Sequence, residues 1–242
     1  MGKLNCHNAI LLFMLLIFSR LEASILYDGF GPNNSFNTTS FSGVGGGRYN
    51  GSPIDTDQGF GFKTPTGSML ILTGIDLGVR RLWGSNLLDV WITAHNPNYA
   101  FDSDGAPDLN TTLFAQRISL IGGPVSGYKV LSLTPNLQLE ANTWYWVVLS
   151  TPEMPYGWLV GWQAGLKPFN LKPGDPFMMS ERYTGSAVPN SPNHWETLTS
   201  AGQFSMALRI TVNAVPEPAA FWLFGSSLTL LLIFNRRRKE IA

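Results

Sequence analysis

The stretch FSMALRITV, residues 204–212, decides how the rest of the chain is read. Phe204, Met206, Leu208, Ile210 and Val212 alternate with Ser205, Ala207, Arg209 and Thr211. A period of two places each set on its own face of an extended strand, one buried and one wet. Residues 88–95 repeat the pattern, with Leu88, Val90, Ile92 and Ala94 on one face and Asp89, Trp91, Thr93 and His95 on the other. Trp91 is thereby expected on a polar face. Further strands are expected at 70–79, 113–121, 129–133, 144–150, 157–162 and 177–183, and no helical period longer than two turns occurs away from the chain ends. Short strands separated by Gly and Pro turn signals predict an all-β fold, an antiparallel β-sandwich or jelly roll, rather than alternating strands and helices. Residues 30–60, rich in Gly, Asn, Ser and Thr, read as loop, and no fixed-period repeat is present.

Both ends of the chain differ from this middle. Lys3 precedes an apolar run at 9–18, and Leu21-Glu22-Ala23 offers residues of the kind a signal peptidase reads, so residues 1–23 are expected to be a signal peptide cut between Ala23 and Ser24. The alternative is an N-terminal anchor that is never cut. At the other end, Val215-Pro216-Glu217-Pro218 precedes an uncharged run at 219–234 and the basic block Arg236, Arg237, Arg238 and Lys239. The run falls just short of the roughly twenty residues an untilted helix needs to cross a bilayer, and a span over 219–235 is expected. Basic residues after the span stay cytoplasmic, which places everything before it outside. Pro216 and Pro218 break helix and strand alike, so the motif should be an exposed hinge. Residues 24–214 are then one extracellular domain, and 215–242 a separate C-terminal segment.

Composition restricts what that domain does. The only cysteine, Cys6, lies in the leader, so the middle has no disulfide, redox thiol or thiolate metal ligand and depends on its core for stability. Residues 24–215 hold 10 Lys and Arg against 13 Asp and Glu, a net of about −3 with the cations dispersed, which argues against nucleic acid as a partner.

The tail resembles the PEP-CTERM sorting signal of Gram-negative bacteria that make extracellular polymer. The likeness rests on Val215-Pro216-Glu217-Pro218, the apolar run containing Gly225, and Arg236-Arg237-Arg238, in that order. The resemblance implies recognition by exosortase, a multi-pass membrane enzyme, with removal of the tail after transient anchoring in the inner membrane and delivery to the cell surface or matrix. A permanent C-terminal anchor is the alternative. The middle resembles the choice-of-anchor R type of surface domain. That likeness rests on Ala141-Asn142-Thr143-Trp144-Tyr145-Trp146-Val147-Val148-Leu149-Ser150, Leu137, Leu139, Tyr156-Gly157-Trp158 and Gly105-Ala106-Pro107 before Leu109. It implies a fold and an address, and no activity.

Chemistry is sparse. His95 and His194 stand in no metal-binding spacing, and no nucleophile elbow, phosphate loop or dinucleotide fingerprint occurs. Glu153 and Glu196 would serve glycan hydrolysis only if the fold brought them together; otherwise both are solvated surface charges. Asp102-Ser103-Asp104-Gly105-Ala106-Pro107-Asp108 reads first as a polar turn between strands. It alternates oxygen ligands around a glycine without full EF-hand spacing, so Asp102, Asp104 and Asp108 are the candidate calcium ligands. Among the tryptophans, Trp144 and Trp146 lie in a near-continuous apolar strand and read as core. Trp91, with Tyr156 and Trp158, is a candidate sugar-stacking group, although each also fits a structural role. Asn33, Asn37, Asn50 and Asn110 head Asn-x-Ser/Thr triplets and mark surface loops. The expected function is a non-enzymatic structural or adhesive component of an exopolysaccharide matrix. The alternatives are a carbohydrate-binding module and, less favoured, a secreted glycan hydrolase.

Overall fold

A computed structural model describes residues 23–49, 52–82, 87–99, 105–120, 127–152, 160–166, 177–184, 195–197 and 206–215. These form strands β1 (Ser24–Asp28), β2 (Asn37–Tyr49), β3 (Ser52–Lys63), β4 (Leu70–Arg81), β5 (Leu87–Asn96), β6 (Ala106–Ser119) and β7 (Tyr128–Leu133). There follow β8 (Leu137–Leu139), β9 (Trp144–Ser150), β10 (Val160–Ala164), β11 (Phe177–Thr184), β12 (Trp195–Thr197) and β13 (Leu208–Ala214). One 3-10 turn, Pro32–Asn34, lies between β1 and β2. The fold is all-β and antiparallel throughout.

The strands form two faces of a sandwich-like structure. In the first, β4 carries β13 and then β10 along one edge and β8 and then β7 along the other, with β1 outside β13. In the second, the order is β12-β11-β3-β9-β5-β6. Strand β2 belongs to both. Val44 pairs with Val160 of β10, and the next residue, Gly45, pairs with Thr56 of β3. Gly45 has φ of 90°, a left-handed conformation that side chains resist, and the strand changes sheets there.

The main core lies between the two faces. Leu72, Ile75, Leu77 and Val79 of β4, with Leu208, Ile210 and Val212 of β13, meet Phe60 and Phe62 of β3, Leu88, Val90 and Ile92 of β5, and Tyr145, Val147 and Leu149 of β9. The alternation expected over 204–212 holds within β13, where Leu208, Ile210 and Val212 are buried and Arg209 and Thr211 half-exposed; it does not extend back to Ala207, which is buried beside Met206 ahead of the strand, and Phe204 and Ser205 lie outside the described residues. In β4 the parity changes between Leu72 and Ile75, and the pairing with β13 shifts register at the same place, between Thr211 and Val212. A bulge there lets one strand supply core residues on both sides of a skipped position.

Three expectations are corrected. Residues 30–60 are not loop, because β2 and most of β3 lie in them. Their glycines are strand residues that leave room for neighbouring rings and for the crossing at Gly45, and composition alone scores them as turn formers. The second face of 88–95 is not wet: Asp89 and Thr93 are buried, since another layer of side chains covers that face. Strand β6 begins at Ala106 rather than 113, so Ala106, Pro107 and Asp108 pair with Asn96, His95 and Ala94 instead of forming a turn. Among the described strands β6 pairs only with β5, and a proline is tolerated on such an outer strand.

On the outer side of the first face, side chains directly opposite one another form a row across four strands. Asp28, Arg209, Asp76 and Ser132 are successive register partners. Arg209 Nε donates to Asp28 at 3.3 Å and Nη1 to Asp76 at 3.5 Å, and the Ser132 hydroxyl donates to Asp76 at 2.6 Å. The guanidinium also lies 5.4 Å from the Phe30 ring centre. One register step along, Phe36 packs over Gly78. Among the described residues no helix is long and apolar enough to cross a membrane, and the run at 219–234 lies outside them.

A Cβ on Gly78 would lie 2.6 Å from the Ala207 Cβ and 3.1 Å from Phe36, whereas one on Gly74 would meet Thr211 at an ordinary 3.5 Å. Gly78→Ala is therefore expected to lower unfolding free energy by about 1–3 kcal/mol through overpacking, and Gly74→Ala to stay within about 0.5 kcal/mol. Denaturant unfolding of both variants checks this; equal effects would contradict it.

Candidate functional site

Strand β9 has neighbours on both edges and is covered on both faces. Tyr145, Val147 and Leu149 enter the main core, while Trp146 and Val148 point the other way into a second cluster with Ala106 and Trp195. Trp91, Tyr99, Leu109 and Met178 pack around it, half-buried. The indole of Trp146 fits because β3 has glycine beneath it. A Cβ on Gly61 would lie 3.1 Å from three atoms of the ring, and one on Gly59 would lie 3.3 Å from Trp146 and 3.2 Å from Trp195.

Polar groups fix the orientation of these rings. Trp146 Nε1–H donates to His95 Nδ1 at 3.1 Å, which requires a neutral imidazole carrying its proton on Nε2. The His95 ring lies nearly parallel to Trp146, with centroids 6.2 Å apart, and tilts against Trp144 at 5.9 Å. Gly105, at φ of 82°, closes over the other side; a Cβ there would lie 2.3 Å from His95 Cε1. Arg182 donates from Nε to Asp57 Oδ2 at 2.8 Å, closes a second contact from Nη2 to the same oxygen, and lies 5.5 Å from the Trp195 ring centre. Asp57 is 1% exposed, and among the described residues its Oδ1 has no hydrogen-bond partner. The Trp195 backbone N–H donates to the Tyr99 hydroxyl at 2.8 Å. The arrangement seats two indoles.

Trp91 is the one expected stacking residue that can be placed, and it sits half-buried at the margin of this cluster. Tyr156 and Trp158 lie outside the described residues, as do Glu153, His194, Asp102 and Asp104. Asp108 is in β6, where its carboxylate accepts from the Asn110 N–H at 3.0 Å and the Thr111 hydroxyl at 2.7 Å. Glu196 is in β12. Among the described residues no group of three or more His, Cys, Asp or Glu could hold a metal ion. Val215 ends the described fold, and Pro216, Glu217, Pro218 and the basic block lie beyond it.

A cleft between β2 and β10 has no counterpart in the sequence reading. The pairing runs Gln163↔Phe41 and then Ala164↔Asn37, so residues 38–40 bulge out of the ladder. The Asn37 carboxamide oxygen holds the bulge, accepting from the Thr39 N–H at 2.8 Å, the Thr39 hydroxyl at 2.7 Å and the Ser40 N–H at 3.2 Å. The resulting cleft of about 320 Å³ is lined by Thr39, Ser40, Phe41, Ser42, Ala164 and Met206. Hydroxyls and one aromatic ring suit a neutral polyhydroxyl ligand better than a charged one. The signal was there in Thr38-Thr39-Ser40-Phe41-Ser42, but only the bulge turns a run of hydroxyl residues into a concave surface. No family model matches the chain, and no characterised protein is significantly similar to it.

Burial holds the His95 pKa below its ordinary value. The unfolded chain therefore takes up the His95 proton at a higher pH, near about 6.5, than the folded chain does. This contribution to stability is complete above about 6.5 and is lost as pH falls toward the folded pKa. His95→Gln should flatten that part of the pH–stability profile. His95→Ala should lower stability at neutral pH by about 1–3 kcal/mol, because the buried Trp146 N–H loses its acceptor. A profile unchanged in both variants would contradict the assignment.

Proposed function

We propose that the chain is an exported protein whose C-terminal signal directs a non-enzymatic β-sandwich domain to the cell surface or extracellular matrix, where it serves as a structural or adhesive component of the exopolysaccharide. In this reading residues 1–23 are removed by signal peptidase, 219–235 anchor the chain transiently in the inner membrane, and exosortase recognises Val215-Pro216-Glu217-Pro218.

The observation that carries the reading is how close the paired strands β1 and β13 come to both proposed processing points. Ser24, the first residue after the proposed signal cleavage, is the first residue of β1 and pairs with Val212 of β13. Three residues later the Val215 N–H donates to the Met69 carbonyl at 2.9 Å, and Pro216 follows at once. The two proposed processing points therefore lie next to strands that pair with each other. A processing enzyme acting at Pro216–Pro218 would cut beside the domain rather than within it. The hydroxyl-lined cleft between β2 and β10 is a surface that would suit a sugar unit of the surrounding polymer.

The mass of the mature C-terminus tests the reading, measured on protein from native-host cell fractions with and without the exosortase candidate. Processing predicts a chain that ends near 216–218 and is found outside the cell. A chain that keeps Arg236 to Lys239 and stays in the membrane when the enzyme is present would show a permanent tether instead.

A further inference from the structure

Among the described residues the two faces of the fold have four edges, and they are not alike. Strand β1 has five residues with a register shift between Ile25 and Tyr27, and β12 has three. The edge of β4 is divided between β7 and β8, of six and three residues, with Asn136 at φ of 49° between them. Short, bulged and broken edges resist pairing with other strands. Strand β6 is 14 residues long, pairs with β5 on one side, and has no strand on the other among the described residues. From 110 to 119 every residue is exposed except Phe114 and Ile118, which are half-buried.

We propose that β6 is a self-association edge, to which a second copy of this chain adds its own β6 in antiparallel fashion. Charge points to that occupant. The stretch 109–116 is uncharged, and the one cation beyond it, Arg117, is held by Asp89 through contacts of 2.7 and 2.8 Å. Two identical strands of this kind meet without like-charge repulsion, and the lysines that commonly guard an edge are absent. Pairing with β5 is regular from Leu87↔Ser119 to Ile92↔Phe114, so the segment 114–119 offers a straight template.

The register follows from the faces. Directly opposed residues in an antiparallel pair point to the same side, so joining two copies with their cores on one side requires positions of equal parity to meet. A two-fold axis at Gln116 satisfies this. Phe114 then faces Ile118 of the second copy, twice, and each covers the exposed half of a side chain that already packs on the core. Ala115 faces Arg117, which leaves the guanidinium on Asp89. A strand pair buries less than the roughly 1,200 Å² of stable complexes, so the contact is weak in dilute solution and populated where copies are crowded. The inference is independent of how the tail is processed.

The test is disulfide trapping in the full-length chain with Cys6→Ser, comparing Gln116→Cys with Gln138→Cys, an exposed position on β8, at high protein concentration under mild oxidation. Gln116→Cys is expected to give at least tenfold more disulfide dimer on a non-reducing gel. Adding Ala115→Arg, which sets a cation opposite Arg117 of the second copy, is expected to cut that yield severalfold. Equal dimer from both cysteine positions, or a Gln116→Cys yield unaffected by Ala115→Arg, would overturn the proposal.

Discussion

An indole laid across two glycines sets the organisation of the second face. Trp146 points away from the main core, and Gly59 and Gly61 of the neighbouring strand present no Cβ to its ring, which lets it lie close against them. A Cβ at either position would press on the indole at 3.1–3.3 Å, so the ring and the groups packed with it, His95 and Trp195, would have to give by a few tenths of an ångström. β9 is thereby buried on both faces, and β5 is largely buried with it. A domain without a disulfide framework gains from this a second apolar cluster in addition to the core between its sheets.

The same constraint explains which parts of the fold were legible in the sequence. Strand β13 could be read directly because one face is buried and the other carries Arg209 and Thr211, so burial and period coincide. β9 was legible as a strand from its continuous apolar run, and the run already implied two covered faces. What covers the second face was not legible. Trp195 comes from a three-residue strand too short to leave a periodic signal, and Gly59 and Gly61 look like turn residues until an indole is placed above them. For the same reason residues 30–60 read as loop. His95 and Thr93 alternated as a wet face would, yet period alone cannot tell a face in water from one under a second layer. The cleft at Thr39 and Ser40 depends on a bulge, and a bulge arises from register between distant strands rather than from local composition.

Among the described residues several charged and aromatic side chains are engaged with one another. His95 holds a tryptophan, Arg182 is committed to Asp57, and the charged row through Arg209 ties four strands of the first face. These are the interactions of a rigid scaffold. Strands β1 and β13 lie side by side, three of the edges among the described residues are shortened or broken, and β6 is long and nearly free of charge. A domain of this kind is compatible with the proposed release at Pro216–Pro218 and with many weak contacts in crowded surroundings.

The measurement that bears most directly on the central claim is residue-resolved amide hydrogen exchange across 52–63 and 144–150. If Gly59 and Gly61 are strand residues clamped under Trp146, their amides and those of β9 should exchange only through global unfolding, as slowly as the amides of β4. Exchange at Gly59 and Gly61 at rates typical of an open loop, with β4 still protected, would contradict the glycine and tryptophan arrangement and the second layer that depends on it.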